Sequence, residues 1–173
     1  MKTMLGVFAL AAVVACAPVE HARNGNAAVL SPTSYGKIEF GRSLAEIERA
    51  VGEAARASAG QDDACRSVTF GAYPGMRLIV EKGIVTRADV TSGDAPADIA
   101  NVLHVRLGDA FADVRARQPS LKIQPHKYDP NGHYLIQKSA DGKNAVVLEE
   151  SGGRISAIRA GVEPSVEYVE GCL

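Results

Sequence analysis

A short sequence pattern occurs twice in the chain, and this internal repeat limits the possible fold more than any other feature. Residues 40–47 read FGRSLAEI and residues 107–114 read LGDAFADV, an offset of 67 residues. Both copies follow the order apolar, Gly, any, small, Leu or Phe, Ala, acidic, Ile or Val. Repetition at a fixed spacing indicates duplicated structural units. The sequence therefore predicts a tandem duplication, with repeat one over 35–92 and repeat two over 101–173.

Each copy of the pattern is typical of a chain that turns at a glycine and then enters a helix. In the first copy, Ser43 and Glu46 have the spacing of a capping box, in which each side chain bonds a backbone N–H that the first turn leaves without a partner. We expect that helix to continue to Gly60. In the second copy, Asp109 is the expected cap and Pro119 the expected stop, because the residue before a proline is pushed out of the α region.

Strand-like segments separated by turn residues follow each predicted helix. They lie at 66–73, 76–82 and 84–90 in the first half, and at 121–128, 133–138, 144–150 and 154–160 in the second. Strands joined by tight turns are antiparallel, because a parallel partner needs a long crossover. The sequence predicts an α+β fold of two tandem units, each an antiparallel sheet with one helix packed on its face. The expected core residues are Leu78, Val80, Ile84 and Val90 in one half, and Ile136, Val146, Leu148 and Ile155 in the other.

The amino-terminal segment has the pattern of an export leader. After Lys2 and Thr3 come twelve apolar residues, Met4–Ala15. A helix of that length is too short to cross a bilayer, which needs about 20 residues. The run Val13-Val14-Ala15-Cys16 resembles the lipobox of bacterial lipoproteins, in which the cysteine is acylated and becomes the new amino terminus. The resemblance implies a signal peptide over 1–15 and a lipid anchor, of palmitate-type chains, on Cys16.

Two alternatives for Cys16 stay open: an ordinary secretory leader cut near Ala15 to Ala17, and a cysteine that belongs to the fold. In bacterial lipoproteins that this leader resembles, the residue after the cysteine indicates the target membrane. Ala17 at this position, in place of aspartate, implies that the protein is anchored in the outer membrane, with the domain facing the periplasm. Two or three acyl chains hold a protein firmly, since each buried methylene contributes ~0.8 kcal/mol. Residues 16–34 are rich in Ala, Asn, Pro and Ser, and are predicted to form a flexible tether before a single domain over 35–173.

The other two cysteines, Cys65 and Cys172, are expected to form a disulfide, because the leader directs the chain to an oxidising compartment. Two free thiols are the alternative. The bond would tie the closing segment EPSVEYVEGCL, which alternates like a strand or an extended tail, back to the middle of the chain. Pinning of the fold is the expected role of this segment, and a partner-binding edge is the alternative.

Composition and motifs exclude several function classes. The chain has 19 basic and 20 acidic residues, so no basic stripe is available for nucleic acid, and the lipid anchor is the only membrane contact expected. The G-x-S-x-G, H-E-x-x-H and P-loop patterns are absent. The adjacent acids Glu149-Glu150 are expected to point to opposite sides of a strand and to solvate the surface. We therefore expect no enzyme and no cofactor.

The densest polar and aromatic cluster is HKYDPNGHY at 126–134. The run Asp-Pro-Asn-Gly is typical of a hairpin turn. The tyrosine rings offer flat faces to a sugar or a peptide, and the polar groups offer hydrogen bonds. A plain hairpin without a binding role is the alternative, and the histidine spacing predicts no metal site. The candidate binding residues are His126, Tyr128, Asp129, His133 and Tyr134.

The glycine turn, the S/T-x-x-E/D-I/V pattern and the antiparallel strands after it, in a short lipoprotein, resemble the small lipoprotein of the β-barrel assembly machinery. That family shares a fold with β-lactamase inhibitory protein, a tandem repeat of such units. The resemblance covers the lipobox and the two octets, and it implies a binding role without giving a functional residue beyond Cys16. The chain departs from both: the assembly lipoprotein has one unit, and the inhibitory proteins are secreted, carry no lipid and have two disulfides.

These features predict a membrane-anchored, periplasm-facing, non-catalytic module that binds an envelope protein, either an assembly complex or an enzyme to be inhibited. The alternative is a carbohydrate-binding module that uses the 126–134 hairpin on envelope glycans. The absence of Trp and an aromatic share of 5% count against it, because sugars stack on aromatic rings. An enzyme with an unrecognised site is the third alternative.

Overall fold

The computed structural model describes residues 28–60, 62–91 and 99–172. The first half contains strands β1 Ser34–Tyr35 and β2 Ile38–Glu39, helix α1 Leu44–Val51, and strands β3 Arg56–Ala57, β4 Cys65–Thr69, β5 Arg77–Glu81 and β6 Ile84–Thr91. The second half contains helix α2 Phe111–Arg117, strands β7 Lys122–Pro125, β8 His133–Lys138, β9 Asn144–Ser151 and β10 Arg154–Val162, and a 3₁₀ turn Ser165–Glu167.

Eight of these strands form one continuous antiparallel sheet, in the order β3-β4-β5-β6-β10-β9-β8-β7. The two halves join at its centre, where Asp89 of β6 lies opposite Arg159 of β10. The expectation of two helix-on-sheet units is therefore wrong, and the described chain is mostly β with one large sheet. Separate units would leave β6 and β10 as exposed edges, whose free backbone groups satisfy each other when the two strands pair.

One apolar core lies between the two helices and one face of the sheet, called here the helix face. It contains Ile47 of α1 and Val114 of α2 together with strand residues from both halves. Because both helices share this core, neither half has a hydrophobic core of its own. Of the residues expected in the core, Ile84 is exposed to 36%, and the buried ones are Leu78, Val80, Val90, Ile136, Val146, Leu148 and Ile155.

The two sequence copies make matching backbone hydrogen bonds. In each copy the N–H of the glycine in the eight-residue pattern donates to a carbonyl of the last strand of that half. The N–H of the first helical residue donates to a glycine carbonyl in the turn before that strand. Both glycines have left-handed backbones, with φ of 90° at Gly41 and 86° at Gly108, which explains the glycine in each octet. The donor and acceptor pairs are Gly41 with Val85, Leu44 with Gly83, Gly108 with Ile155, and Phe111 with Gly153.

Helix α1 begins as expected and ends early. The capping box of Ser43 and Glu46 is confirmed, with both side-chain-to-backbone bonds present. The helix stops at Gly52, whose φ of 84° is left-handed, and not at Gly60. The side chain of Glu48 then accepts the N–H of Ala55, which turns the chain toward β3.

Helix α2 lacks the cap that the sequence suggested. Its N-cap is Ala110, which makes no side-chain cap bond. Asp109 instead accepts the N–H of Arg106 and pairs with Arg117 at 2.9 Å. The helix ends before Pro119, as expected.

The amino-terminal part of the described chain packs on the body. Leu30, which falls in the segment predicted as a tether, is fully buried, and its N–H donates to the carbonyl of Ala100. The predicted signal peptide and Cys16 lie outside the described residues. Among the described ranges, no helix has the length and apolar character needed to cross a membrane.

The second face of the sheet, called here the open face, is crossed by the carboxyl-terminal segment Glu163–Cys172, called the strap. The disulfide between Cys65 and Cys172 is confirmed and fixes the end of the strap to β4. Val166 of the strap is fully buried and joins a small apolar cluster on the open face. The sheet residues of this cluster are Tyr134, Ile136, Ala145 and Val147.

Candidate binding site on the open face

Charged side chains lie beneath the strap, on strands whose other residues are mostly apolar. Successive side chains of a strand point to opposite faces, so Ala88 and Val90 join the helix-face core while Arg87 and Asp89 face the strap. Arg87 is 2% exposed and its Nε lies 2.7 Å from a carboxylate oxygen of Asp89. A buried charge is tolerated when it is paired, and this pair meets that condition.

Two buried guanidinium groups hold the strap by its backbone. Arg87 donates to the carbonyls of Ser165 at 3.0 Å and Tyr168 at 2.7 Å. Arg159 donates to the same Tyr168 carbonyl at 2.7 Å and to Glu149 at 3.0 Å. Because the carbonyl of Tyr168 faces the sheet, its ring faces outward and is 50% exposed.

Salt bridges at the start of the strap add to this attachment. The ammonium of Lys138 lies 2.9 Å from Glu163 and 3.0 Å from Glu167. The hydrogen bonds to Glu163 and then Glu167 raise the pKa of Lys138 above its ordinary value. The positive charge of Lys138 is therefore favoured by two carboxylates at once.

The predicted hairpin at 126–134 is confirmed, with Gly132 donating to the carbonyl of Asp129 and His126 donating to the carbonyl of Gly132. A hydroxyl of Ser151 and then the N–H of Asn131 lower the pKa of Asp129. Asp129 therefore serves the turn as a charged acceptor, and its side chain is not left free for a ligand.

His126 is a structural part of the hairpin. Its Nδ1 accepts the N–H groups of Tyr128 at 3.1 Å and Asp129 at 2.9 Å, so the ring proton is assigned to Nε2. Nε2 lies 3.3 Å from Glu149, and the ring stacks on Tyr134 with centroids 4.6 Å apart. Tyr134 itself is only 8% exposed.

His133 lies on the opposite face from the other candidate residues. Its ring stacks on Phe111 of α2 at 4.8 Å, and its Nδ1 lies 2.8 Å from the carboxylate of Glu150. Glu150 is 1% exposed and also accepts the N–H of Gly153. Glu149 and Glu150 do point to opposite faces, but the expectation that they solvate the surface is wrong, because each pairs with a specific partner.

The hairpin tip and the strap form one exposed surface. Tyr128 is 60% exposed, and its hydroxyl donates to the carboxylate of Glu170. Lys127 lies 3.6 Å from Glu170 and 5.0 Å above the ring of Tyr128. Tyr168 is two residues before Glu170, so its exposed ring belongs to the same surface. We call Lys127, Tyr128, Tyr168 and Glu170 the tyrosine surface.

A cavity of about 320 Å³, called the strap cavity, lies between the strap and the hairpin half of the open face. Ile136 and Val147 of the sheet and Val169 of the strap form its apolar wall. Tyr134, Arg159 and Lys127 contribute polar groups. The cavity adjoins the tyrosine surface, because Lys127 belongs to both.

Sequence reasoning missed the residues that organise this site, namely Arg87, Asp89 and Arg159. A signal was present, since each is a charged residue with apolar neighbours in the strand segments IVTRADV and RISAIRA. A charge between apolar neighbours on a central strand indicates a buried and paired group. Of the five hairpin candidates, the structure brings His126, Tyr128 and Tyr134 together, uses Asp129 in the turn and places His133 elsewhere.

Comparisons with protein-family models, with curated proteins and with solved structures found no match. Over residues 28–60, 62–91 and 99–172, no group of three or more His, Cys, Asp or Glu side chains is arranged to hold a metal ion.

Proposed function

We propose that the protein is an envelope lipoprotein, acylated at Cys16 and facing the periplasm from the outer membrane, whose domain binds a protein partner without catalysing a reaction. The tyrosine surface is the observation that carries the binding role. It presents two half-exposed aromatic rings, Tyr128 and Tyr168, on a rigid base of hairpin and strap.

Tyrosine suits such a role for physical reasons. Its ring gives a large contact area at low entropic cost, and its hydroxyl keeps a hydrogen-bond partner. Residues of this type dominate binding energy when they lie at the centre of an interface with a polar rim. Here Lys127 and Glu170 supply charged neighbours for the two rings.

The edges of the sheet favour binding through a face. Strand β3 at one edge has only two residues, and β7 at the other edge contains Lys122 and Pro125. Short edge strands, lysine and proline all disfavour the addition of a partner strand. We therefore place the partner on the tyrosine surface and not beside β7.

The glycan alternative has less support from the geometry. Of the two hairpin tyrosines, only Tyr128 exposes its ring, because Tyr134 is 8% exposed under His126 and Arg159. A sugar that stacks on a ring needs an exposed face. A protein partner can use Tyr128 and Tyr168 together, because the hydroxyl of Tyr128 bonds Glu170, two residues after Tyr168 on the strap.

Affinity capture from native membranes tests the binding role. The Tyr128→Ala, Tyr168→Ala double variant is compared with the parent and with Ile84→Ala, Val102→Ala, which truncates two exposed apolar residues outside the tyrosine surface. Each hot-spot tyrosine is worth about 2 kcal/mol, or roughly a 30-fold loss of affinity. A stoichiometric partner should be lost from the double tyrosine variant and kept by the control. Equal recovery with both variants contradicts the proposal.

The anchor is tested separately. Cys16→Ser removes the proposed acylation site, so the protein should leave the membrane fraction in a sedimentation assay. Continued processing and sedimentation with vesicles, as for the parent, contradicts the anchor and leaves the binding role to be judged by the capture experiment.

A further inference from the structure

Two residues that line the strap cavity have hydrogen-bond donors without a partner. Tyr134 is 8% exposed and Arg159 is 4% exposed, and both line the cavity. The hydroxyl of Tyr134 and the Nε of Arg159 are buried without a hydrogen-bond partner among the described residues. A buried polar group left unpaired costs about 1–3 kcal/mol, so such groups indicate a missing partner.

The chemistry of these donors defines the missing partner. An Arg Nε can only donate, so the atom that satisfies it must be an acceptor. Two other charged residues of the cavity wall are already paired, Lys127 with Glu170 at 3.6 Å and Glu167 with Lys138 at 3.0 Å. The polar part of the cavity therefore favours an oxygen acceptor, either a carboxylate or a neutral carbonyl.

The rest of the cavity is apolar. Ile136, Val147 and Val169 form a wall that would bury aliphatic or aromatic carbon. A volume of about 320 Å³ lies at the small end of ligand pockets, which begin at about 300 Å³. The occupant is thus about the size of one amino-acid residue.

We infer that the strap cavity is a binding site for a small apolar group that carries a carboxylate or carbonyl oxygen. The oxygen meets the donors of Tyr134 and Arg159, and the apolar group contacts Ile136, Val147 and Val169. The site is complete only when the strap is in place, because Val169 belongs to the strap. The source is either a free acid or the carboxyl-terminal residue of a protein. This inference goes beyond the proposed protein-binding function and does not depend on it.

Equilibrium dialysis of the purified full-length protein, with protein-free buffer as the blank, tests the inference. The probes are N-acetyl-L-leucine, its amide, and isoamylamine, which has the apolar group with a donor in place of the acceptor. We expect saturable binding of N-acetyl-L-leucine and of its amide, which both offer oxygen acceptors, and no binding of isoamylamine. Tyr134→Phe removes one donor and should weaken binding about five- to tenfold. Isoamylamine binding as tightly as the acid overturns the inference.

A size test with a matched control completes the experiment. Val169→Phe fills the cavity and should abolish binding, whereas Val102→Phe makes the same change at an exposed site and should leave binding unchanged. Absence of saturable binding to the parent, or equal binding by both variants, overturns the inference. A short peptide ending in leucine separates the two sources: binding at least as tight as that of the free acid assigns a protein terminus, and weaker binding assigns a free acid.

Discussion

The two faces of the sheet are stabilised in different ways. The helix face is covered by α1, α2 and the segment around Leu103, and it holds the large apolar core together with the buried Glu150, which pairs with His133. The open face is covered by the ten-residue strap, which is held by guanidinium–carbonyl bonds, salt bridges and one disulfide. Apolar burial drives folding without direction, whereas buried polar contacts specify one geometry. The helix face therefore stabilises the fold mainly by apolar burial, whereas the polar contacts and the disulfide of the open face also fix the strap in one geometry and so position the proposed sites.

The largest loss of stability is expected from removing the disulfide. The Cys65→Ser, Cys172→Ser double variant should lose about 4 to 5 kcal/mol of unfolding free energy in the chain-entropy model, because the bond closes a long loop, with a sequence separation of 107. Urea unfolding measures the loss, and hydrogen exchange locates it. Exchange should increase most at the strap amides of Glu167 and Tyr168, which donate to the carbonyls of Pro164 and Ser165, because the strap can then detach locally. Helix-face amides should exchange faster only by the loss of global stability. An equal increase on both faces contradicts the separate roles.

Two neighbouring residues of β8 compare the faces directly. Leu135 is buried in the helix-face core and Ile136 in the open-face cluster. Leu135→Ala should lower the free energy of unfolding by about 3 to 4 kcal/mol, because the main core encloses the cavity that the substitution leaves. Ile136→Ala should cost about 1 kcal/mol less, since the strap can move toward the cavity. Denaturant unfolding of both variants checks the order, and a larger loss for Ile136→Ala contradicts it.

The two helix starts differ in one cap. Ser43 closes a capping box on α1, whereas Ala110 at the same position of α2 makes no side-chain cap bond. Ser43→Ala should cost about 1 kcal/mol, and Ala110→Ser should stabilise by about 0.5 kcal/mol. Thermal unfolding of both variants measures the changes. A stability gain in Ser43→Ala is inconsistent with the capping box.

The smallest expected effect is the pH dependence of the hairpin turn. The Ser151 hydroxyl and then the Asn131 N–H lower the pKa of Asp129 below its usual 3.8. A carboxyl with a lowered folded-state pKa stabilises above its unfolded pKa, and this contribution is lost as the pH falls through the folded pKa. The stability difference between the parent and Asp129→Asn should be constant above about pH 5 and shrink below about pH 4. A difference that does not change with pH contradicts this assignment.

The sequence predicted the helix face better than the open face. Alternation and spacing identified Leu78, Val146 and Leu148 as core, and the capping box located the start of α1, because these signals depend on neighbours in sequence. The joining of the halves into one sheet was missed. The joining depends on the pairing of β6 with β10, between residues about 70 positions apart, and no local sequence pattern predicts that pairing.

The candidate site was partly predictable. The disulfide and the hairpin turn followed from cysteine chemistry and turn composition, and the exposed ring of Tyr128 was among the candidates. The split of His133 from Tyr134 follows from strand alternation, which places adjacent residues on opposite faces. The capture of the strap by Arg87 and Arg159 was not predictable, because their partners are main-chain carbonyls and these carry no sequence signal.

Site-specific photocross-linking in native membranes tests most directly the central claim that the tyrosine surface binds a protein partner. A photoreactive phenylalanine analogue replaces Tyr128, Tyr168, Val102 or Ile84 in turn, all of them exposed. If the tyrosine surface binds the partner, positions 128 and 168 give one and the same cross-linked protein, and positions 102 and 84 give none. Cross-linking from positions 102 and 84, with none from 168, would contradict it.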